Sequence, residues 1–155
     1  MGDPDRPRRG RVAGIDFGTK RIGIAVSNAD RTVASPYENY TRRDPAQDAR
    51  RFQRLIQEET ITQFVVGLPV HLSGQESEKS LEARRFAAWL GEVTGISVVL
   101  FDERFTSAEA EALLQMGELT KKRRQARRDM LAAQILLAAY LESGGRGTID
   151  PGPLS

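Results

Sequence analysis

A chain of 155 residues with 39% apolar and 28% charged side chains is sized for one domain and has the composition of an ordinary soluble globular protein. No apolar run approaches the roughly 20 residues that span a bilayer, and Met1 to Arg11 lacks the apolar centre of a signal peptide, so the expectation is a cytoplasmic protein without membrane contact. The absence of cysteine excludes thiolate catalysis, cysteine-zinc sites and disulfides, and the single histidine, His71, excludes zinc sites built on several imidazoles, which leaves carboxylates as the groups for hydrolytic chemistry; the net charge of +2 is modest but unevenly spread.

Residues 1–10 mix Gly, Pro, Asp and Arg without periodicity and read as a flexible tail ahead of a domain over 11–143, with a second flexible tail over 144–155. Val12 to Phe17 and Ile22 to Val26 are short apolar runs separated by Gly18, Thr19, Lys20 and Arg21, the pattern of a β-hairpin. Asp16 is out of place in the first run. Desolvating its carboxylate costs on the order of several kcal/mol unless a cation or donors replace water. It is either a strand-end Asp bonded to its own turn or a metal ligand whose partners lie elsewhere. Thr32 to Tyr40 is β-prone but carries Pro36, which suits an edge strand and completes an antiparallel meander.

Asp44-Pro45 predicts a helix start, with Asp44 as N-cap and Pro45 at the first helical position. Phe52, Leu55 and Ile56 supply the apolar face to about Glu59, and Arg50, Arg51, Gln53 and Arg54 fill the opposite one. Gln63 to Pro69 reads as a strand buried on both faces. After a loop over 70–76, a helix from about Glu76 to Val93 is expected to bury Leu81, Phe86, Trp89 and Leu90 and to stop at Gly95. Ile96 to Phe101 forms the last strand. Right-handed crossovers would place the two late strands parallel to the first, giving an α/β fold with a mixed five-stranded sheet.

The last strand runs into Asp102-Glu103-Arg104, two acids where functional groups of parallel sheets gather, or else two solvent-facing acids before a helix. Arg104 is placed to bind a phosphate or to pair with them. Thr106 to Glu109 has capping-box spacing, predicting a helix to about Gln115. Lys121, Lys122, Arg123, Arg124, Arg127 and Arg128 place six basic residues within eight, a cluster that attracts phosphates when it is not simply a solvated loop. Asp129 then opens a helix over the Ala- and Leu-rich run to Leu141, with Gly144-Gly145 as its stop.

Taken together, Gly14-Ile-Asp16-Phe-Gly-Thr-Lys20-Arg-Ile-Gly-Ile-Ala25, Val65-Val-Gly67-Leu-Pro69 with Gly74, Phe86-Ala-Ala-Trp-Leu90, Asp102-Glu103-Arg104 with Thr106, and Arg128-Asp129-Met-Leu-Ala-Ala-Gln-Ile-Leu136 resemble the YqgF/RuvX family. The ordered match runs over about residues 11–142. The resemblance implies a ribonuclease H-like fold, a metal-dependent phosphodiester nuclease and a role in maturing the 5′ end of the 16S ribosomal RNA precursor. It also allows a Holliday junction resolvase or a non-catalytic RNA-binding module, and a homodimer in the resolvase case. Transferred position by position, the acidic site falls on Asp16, Glu103 (or Asp102) and Asp129. These would bind Mg²⁺ or Mn²⁺, with two ions roughly 4 Å apart and the second dependent on substrate. Lys20, Arg21, Arg104 and the 121–128 cluster would hold the nucleic-acid backbone. Unlike the RuvC resolvases, the chain has Gly67-Leu68 where those carry a glutamate at the end of the fourth strand, and Ala132 where they carry a second aspartate. Asp-x-Gly-Thr also resembles the first phosphate loop of the actin, chaperone and sugar-kinase ATPases, but those need two lobes and a second such loop.

Overall fold

The computed structural model describes residues 10–69, 77–103, 121–144 and 148–149, with 121–127 described by backbone alone. Apolar runs buried on both faces build β1 (Arg11–Phe17) and β2 (Arg21–Ser27), which pair antiparallel with Asp16 opposite Gly23. β3 (Ala34–Thr41) continues the meander as an edge strand. Its pairing with β2 shifts register between Ile24 and Ala25, and Ala25 faces Pro36, which cannot donate to the ladder. β4 (Ile61–Leu68) and β5 (Ser97–Asp102) then add parallel to β1, and a two-residue β6 (Thr148–Ile149) lies antiparallel on the far edge. The order is β3-β2-β1-β4-β5-β6: the expected five mixed strands plus a short sixth within the segment expected to be a tail.

Helices cover both faces. α1 (Pro45–Glu59) starts as predicted: the Asp44 side chain accepts from the Gln47 backbone N at 2.8 Å, a cap that contributes about 1 kcal/mol. α1 and α2 (Glu78–Thr94) pack Phe52, Leu55, Ala83, Phe86 and Leu90 against Ile15, Ile24, Phe64, Val66 and Leu100. The opposite face of the sheet presents Val12, Ala25, Val65 and Phe101 to Ala133, Leu136 and Leu137 of α3 (Lys121–Ser143). Among the described residues, no helix is long and apolar enough to cross a membrane.

Three sequence-based expectations change. Leu81 is exposed, because the buried stripe of α2 runs through Ser80, Ala83, Ala87 and Leu90, one residue out of phase with it. Arg51 does not share the solvent face of α1: it is buried, with its guanidinium 2.6 Å from Glu38 and 3.5 Å from Glu58. α3 begins eight residues before Asp129, so the basic cluster winds its first two turns and Asp129 sits in the third. The expected 70–76 loop, His71 and the 106–115 helix lie outside the described residues.

A buried carboxylate fixes the β3-α1 junction. Asp48 is 2% exposed and accepts from Tyr40 Oη at 2.6 Å and from the Arg43 backbone N at 2.9 Å. Burial and that carboxylate push the Tyr40 phenol up to about 12. Replacing Asp48 by Ala leaves two donors without their acceptor, at a cost of about 1–3 kcal/mol. Urea denaturation of Asp48→Ala should show a loss in that range, and an unchanged midpoint would refute this role.

Candidate active site

Parallel β1, β4 and β5 finish at one end of the sheet, the end where the functional groups of parallel sheets gather. The two-residue alternation along a strand sorts what is found there. On β1, Val12 packs against α3, and Gly14 approaches it so closely that a Cβ would lie 2.7 Å from Leu137 Cβ. Two residues further, Asp16 shares that face. Val65 on β4 and Phe101 on β5 also meet the α3 cluster, which carries Gly67 and Glu103 to the same side. A Cβ at Gly67 would collide with Glu103 Oε1. The carboxylate of Glu103 thus occupies the space beside β4 that a longer residue at position 67 would fill. A Cβ at Gly23, the partner of Asp16, would collide with the Asp129 carbonyl oxygen, so α3 descends directly onto β2 and delivers Asp129 beside Asp16.

Asp16, Glu103 and Asp129 are therefore brought together. Asp102 is not among them. It is 4% exposed and lies on the other side of the two-residue alternation from Glu103. That cleft, about 380 Å³, is lined by Asp16, the Gly18-Thr19 turn, Gly67, Glu103, and Lys79 and Glu82 of α2. Lys79 and Glu82 escaped the sequence reading. Their only signal was a helix beginning just after the end of β4. Gly23 and Gly67 did carry a signal, since an isolated glycine inside an apolar strand marks close approach of another group.

Burial, and then the charges of Glu103 and Asp129, raise the Asp16 carboxyl from 3.8 to about 7. Burial and Asp102 push Glu103 upward as well, with Lys79 opposing the shift. Three carboxylates gathered in this way repel one another, and a proton held on Asp16 near neutrality relieves part of the conflict. Arg21 relieves more of it, with its Nε 3.3 Å from Asp129 Oδ2. Lys20 is exposed in the hairpin turn and Arg128 is exposed on α3. Lys121, Lys122, Arg123, Arg124 and Arg127 are placed in α3 by backbone only, and Arg104 lies outside the described residues. Among the described residues, no three acidic or imidazole side chains are grouped closely enough to hold one metal ion.

The sequence profile of RuvX, described as Holliday junction resolvase, matches residues 10–143. The chain belongs to the RuvX family. A relative from Rhodopirellula baltica is 47% identical over 137 residues, covering 88% of this chain and 79% of its own. One from Koribacter versatilis is 39% identical over 142 residues, covering 92% and 93%. Both carry the provisional name pre-16S rRNA nuclease. The RuvX-family fold is similar to that of Thermus thermophilus RuvC, solved with a Holliday junction substrate, at TM-score 0.58 and 15% identity over 90% of this chain and 99% of that one. It is also similar to the fowlpox virus resolvase, solved with Holliday junction DNA, at TM-score 0.54 and 10% identity over 86% and 97%. The shared architecture is the ribonuclease H-like fold.

Because the folded-state pKa of Asp16 is raised, the folded protein binds more protons than the unfolded chain between pH 3.8 and about 7. Its stabilising contribution is complete below the lower value and is lost as pH rises through the upper one. At about 1.4 kcal/mol per unit, the loss is on the order of a few kcal/mol, reduced by solvent at the cleft mouth. Chemical unfolding in chelator should show wild type less stable at pH 8 than at pH 5. Asp16→Asn should keep only the smaller fall due to Glu103, and parallel pH profiles would overturn this assignment.

Proposed function

We propose that this chain is a metal-dependent phosphodiester nuclease of the cytoplasm, acting on the 16S ribosomal RNA precursor at its 5′ end. The observation that carries the reading is the gathering of Asp16, Glu103 and Asp129 at the carboxyl ends of the parallel strands, close enough for two of them to raise the pKa of the third. The substrate follows the names of the relatives, which cover most of their own length with this chain.

The donor set fits a hard divalent cation, since Asp16, Glu103 and Asp129 all offer carboxylate oxygens. Asp16, Glu103 and Asp129 are the residues that would hold Mg²⁺ or Mn²⁺ ions. Such ions, when bound, supply the charge that activates water and stabilises the leaving oxygen. The protein's own part is positional. Gly23 and Gly67 keep space for the carboxylates, Arg21 orients Asp129, and Lys79 brings a positive charge to a cleft that must admit a phosphodiester.

A resolvase reading draws on the family description and on the RuvC-like fold. The strand ends bear on it through Gly67: the glutamate that RuvC resolvases place there is replaced by the carboxylate of Glu103 reaching from β5 into the same space. The acid is moved rather than lost. Symmetric cutting of a four-way junction would also require two copies.

The deciding experiment is cleavage of single-stranded RNA, a ribosomal RNA precursor end and a four-way DNA junction, with Mn²⁺, Mg²⁺ or EDTA. Cutting of the precursor should need metal and should fall at least about 100-fold in Asp16→Asn. Symmetric junction cutting would favour the resolvase, and binding of all three without cutting would favour an RNA-binding module. Within the nuclease reading, Glu103→Gln should lower cleavage more than Asp102→Asn, because Glu103 lines the cleft and Asp102 lies on the other side of the alternation. Equal or reversed losses would remove Glu103 from the site.

A further inference from the structure

The face of α1 that patterning assigns to solvent is more than a solvated surface. A groove of about 570 Å³ runs along it, with Tyr40, Arg43, Gln47, Arg50, Arg54 and Gln57 among its walls and no acidic residue in its lining. Basic helix faces are commonly balanced by neighbouring acids, and here those acids are engaged elsewhere. Asp44 caps α1 and accepts from the Gln47 side-chain amide at 2.7 Å. Glu38 and Glu58 both hold the buried Arg51. Asp48 lies beneath the surface, where it accepts from Tyr40 and the Arg43 amide and lies 3.7 Å from Arg42 Nε. Among the described residues, Arg43, Arg50 and Arg54 form no ion pair. Arg50 and Arg54 stand one turn apart on one helix face, where side chains are direct neighbours.

Arg42 ties the groove wall to the rim of the acidic cleft. Its backbone N donates to Lys20 O at 2.9 Å, its guanidinium donates to Thr19 O at 3.3 Å, and that guanidinium lies 5.1 Å over the Phe17 ring. Phe17 and Thr19 line the cleft, while the next residue in the chain, Arg43, lines the groove. A polyanion that extends from the cleft past Arg42 would come to the groove of Arg43, Arg50 and Arg54.

We propose that the α1 groove binds the phosphodiester backbone of a nucleic-acid strand that extends from the cleft, a contact outside the reaction centre that favours long substrates over short ones. The path from the cleft rests on the nuclease reading above, whereas binding in the groove does not require cleavage. Exposed guanidinium groups suit phosphate oxygens, and the amides of Gln47 and Gln57 add hydrogen-bonding capacity without repelling them.

The test compares wild type with Arg50→Gln/Arg54→Gln by fluorescence anisotropy in EDTA, on single strands of about 4 and about 16 nucleotides, as RNA and as DNA. Both arginines are exposed, so the fold should persist, and hydrolysis of bis(4-nitrophenyl) phosphate with Mn²⁺ should be unchanged. The double variant should bind the longer strand about tenfold more weakly, with the shorter one unaffected. Its slope of log affinity against log salt should fall by about 1.4, the amount expected for two lost phosphate contacts on a single strand. Arg50→Lys/Arg54→Lys should restore the slope. Equal losses on RNA and DNA identify the phosphate backbone as the ligand, and a loss confined to RNA supports the groove while adding the ribose hydroxyl. An unchanged affinity and slope, or no binding of the longer strand by wild type, overturns the groove. If the double variant loses binding while Asp16→Asn still cuts, the groove stands and the nuclease assignment of the carboxylates falls.

Discussion

The close approach of α3 to the sheet is the constraint on which the site depends. Two glycines permit it, Gly14 against Leu137 and Gly23 against the backbone of Asp129. A methyl group at either position would lift the helix, and the first casualty would be the distance between Asp129 and Asp16, which come from different ends of the chain and share no local contact. Overpacking of this kind costs about 1–3 kcal/mol in a core. Here it would also dismantle a charge cluster whose members act only together.

That cluster is a local liability held in place by the surrounding packing. Burying Asp16 beside two further acids opposes folding at neutral pH, so the sheet must be rigid enough to impose it. The rigidity comes from β1, flanked on one side by β2 and on the other by β4, with apolar layers on both faces. Stacked Phe17 and Phe86, with ring centroids 4.6 Å apart, tie the strand immediately after Asp16 to α2. The aspartate is thus anchored on a fixed backbone while its carboxylate reaches a polar opening.

Much of this was legible in the residues. The meander, the Asp44-Pro45 helix start and the parallel late strands follow from local patterns with strong physical causes. Asp16 stood out as an acid inside an apolar strand, whereas Glu103 (or Asp102) and Asp129 were candidates through the resemblance to the YqgF/RuvX family. The choice between Asp102 and Glu103 was not legible, because adjacent residues on a strand point to opposite faces and only the register against α3 says which face matters. Arg51 was misread for a related reason. Helical periodicity treats arginine as a surface residue, whereas Glu38 on a strand far from it in sequence makes burial affordable. Lys79 and Glu82 reach the cleft through the geometry of a crossover, which leaves no mark in their own segment. The early start of α3 was hidden because a run of basic residues has no apolar stripe to betray its helical turns.

The two edges of the sheet have a bearing on how copies of this chain can associate. On one side β3 carries Pro36 opposite a register shift and holds Glu38 under an ion pair with Arg51; on the other, β6 is only two residues long. Among the described residues, neither β3 nor β6 offers the long, flat row of unpaired amides and carbonyls that templates strand addition. Edge-to-edge pairing is therefore disfavoured as a route to fibrils or to a dimer built by extending the sheet. Contacts between two molecules through side chains on the helical faces would carry no such cost, because they can be reversed without unzipping a strand.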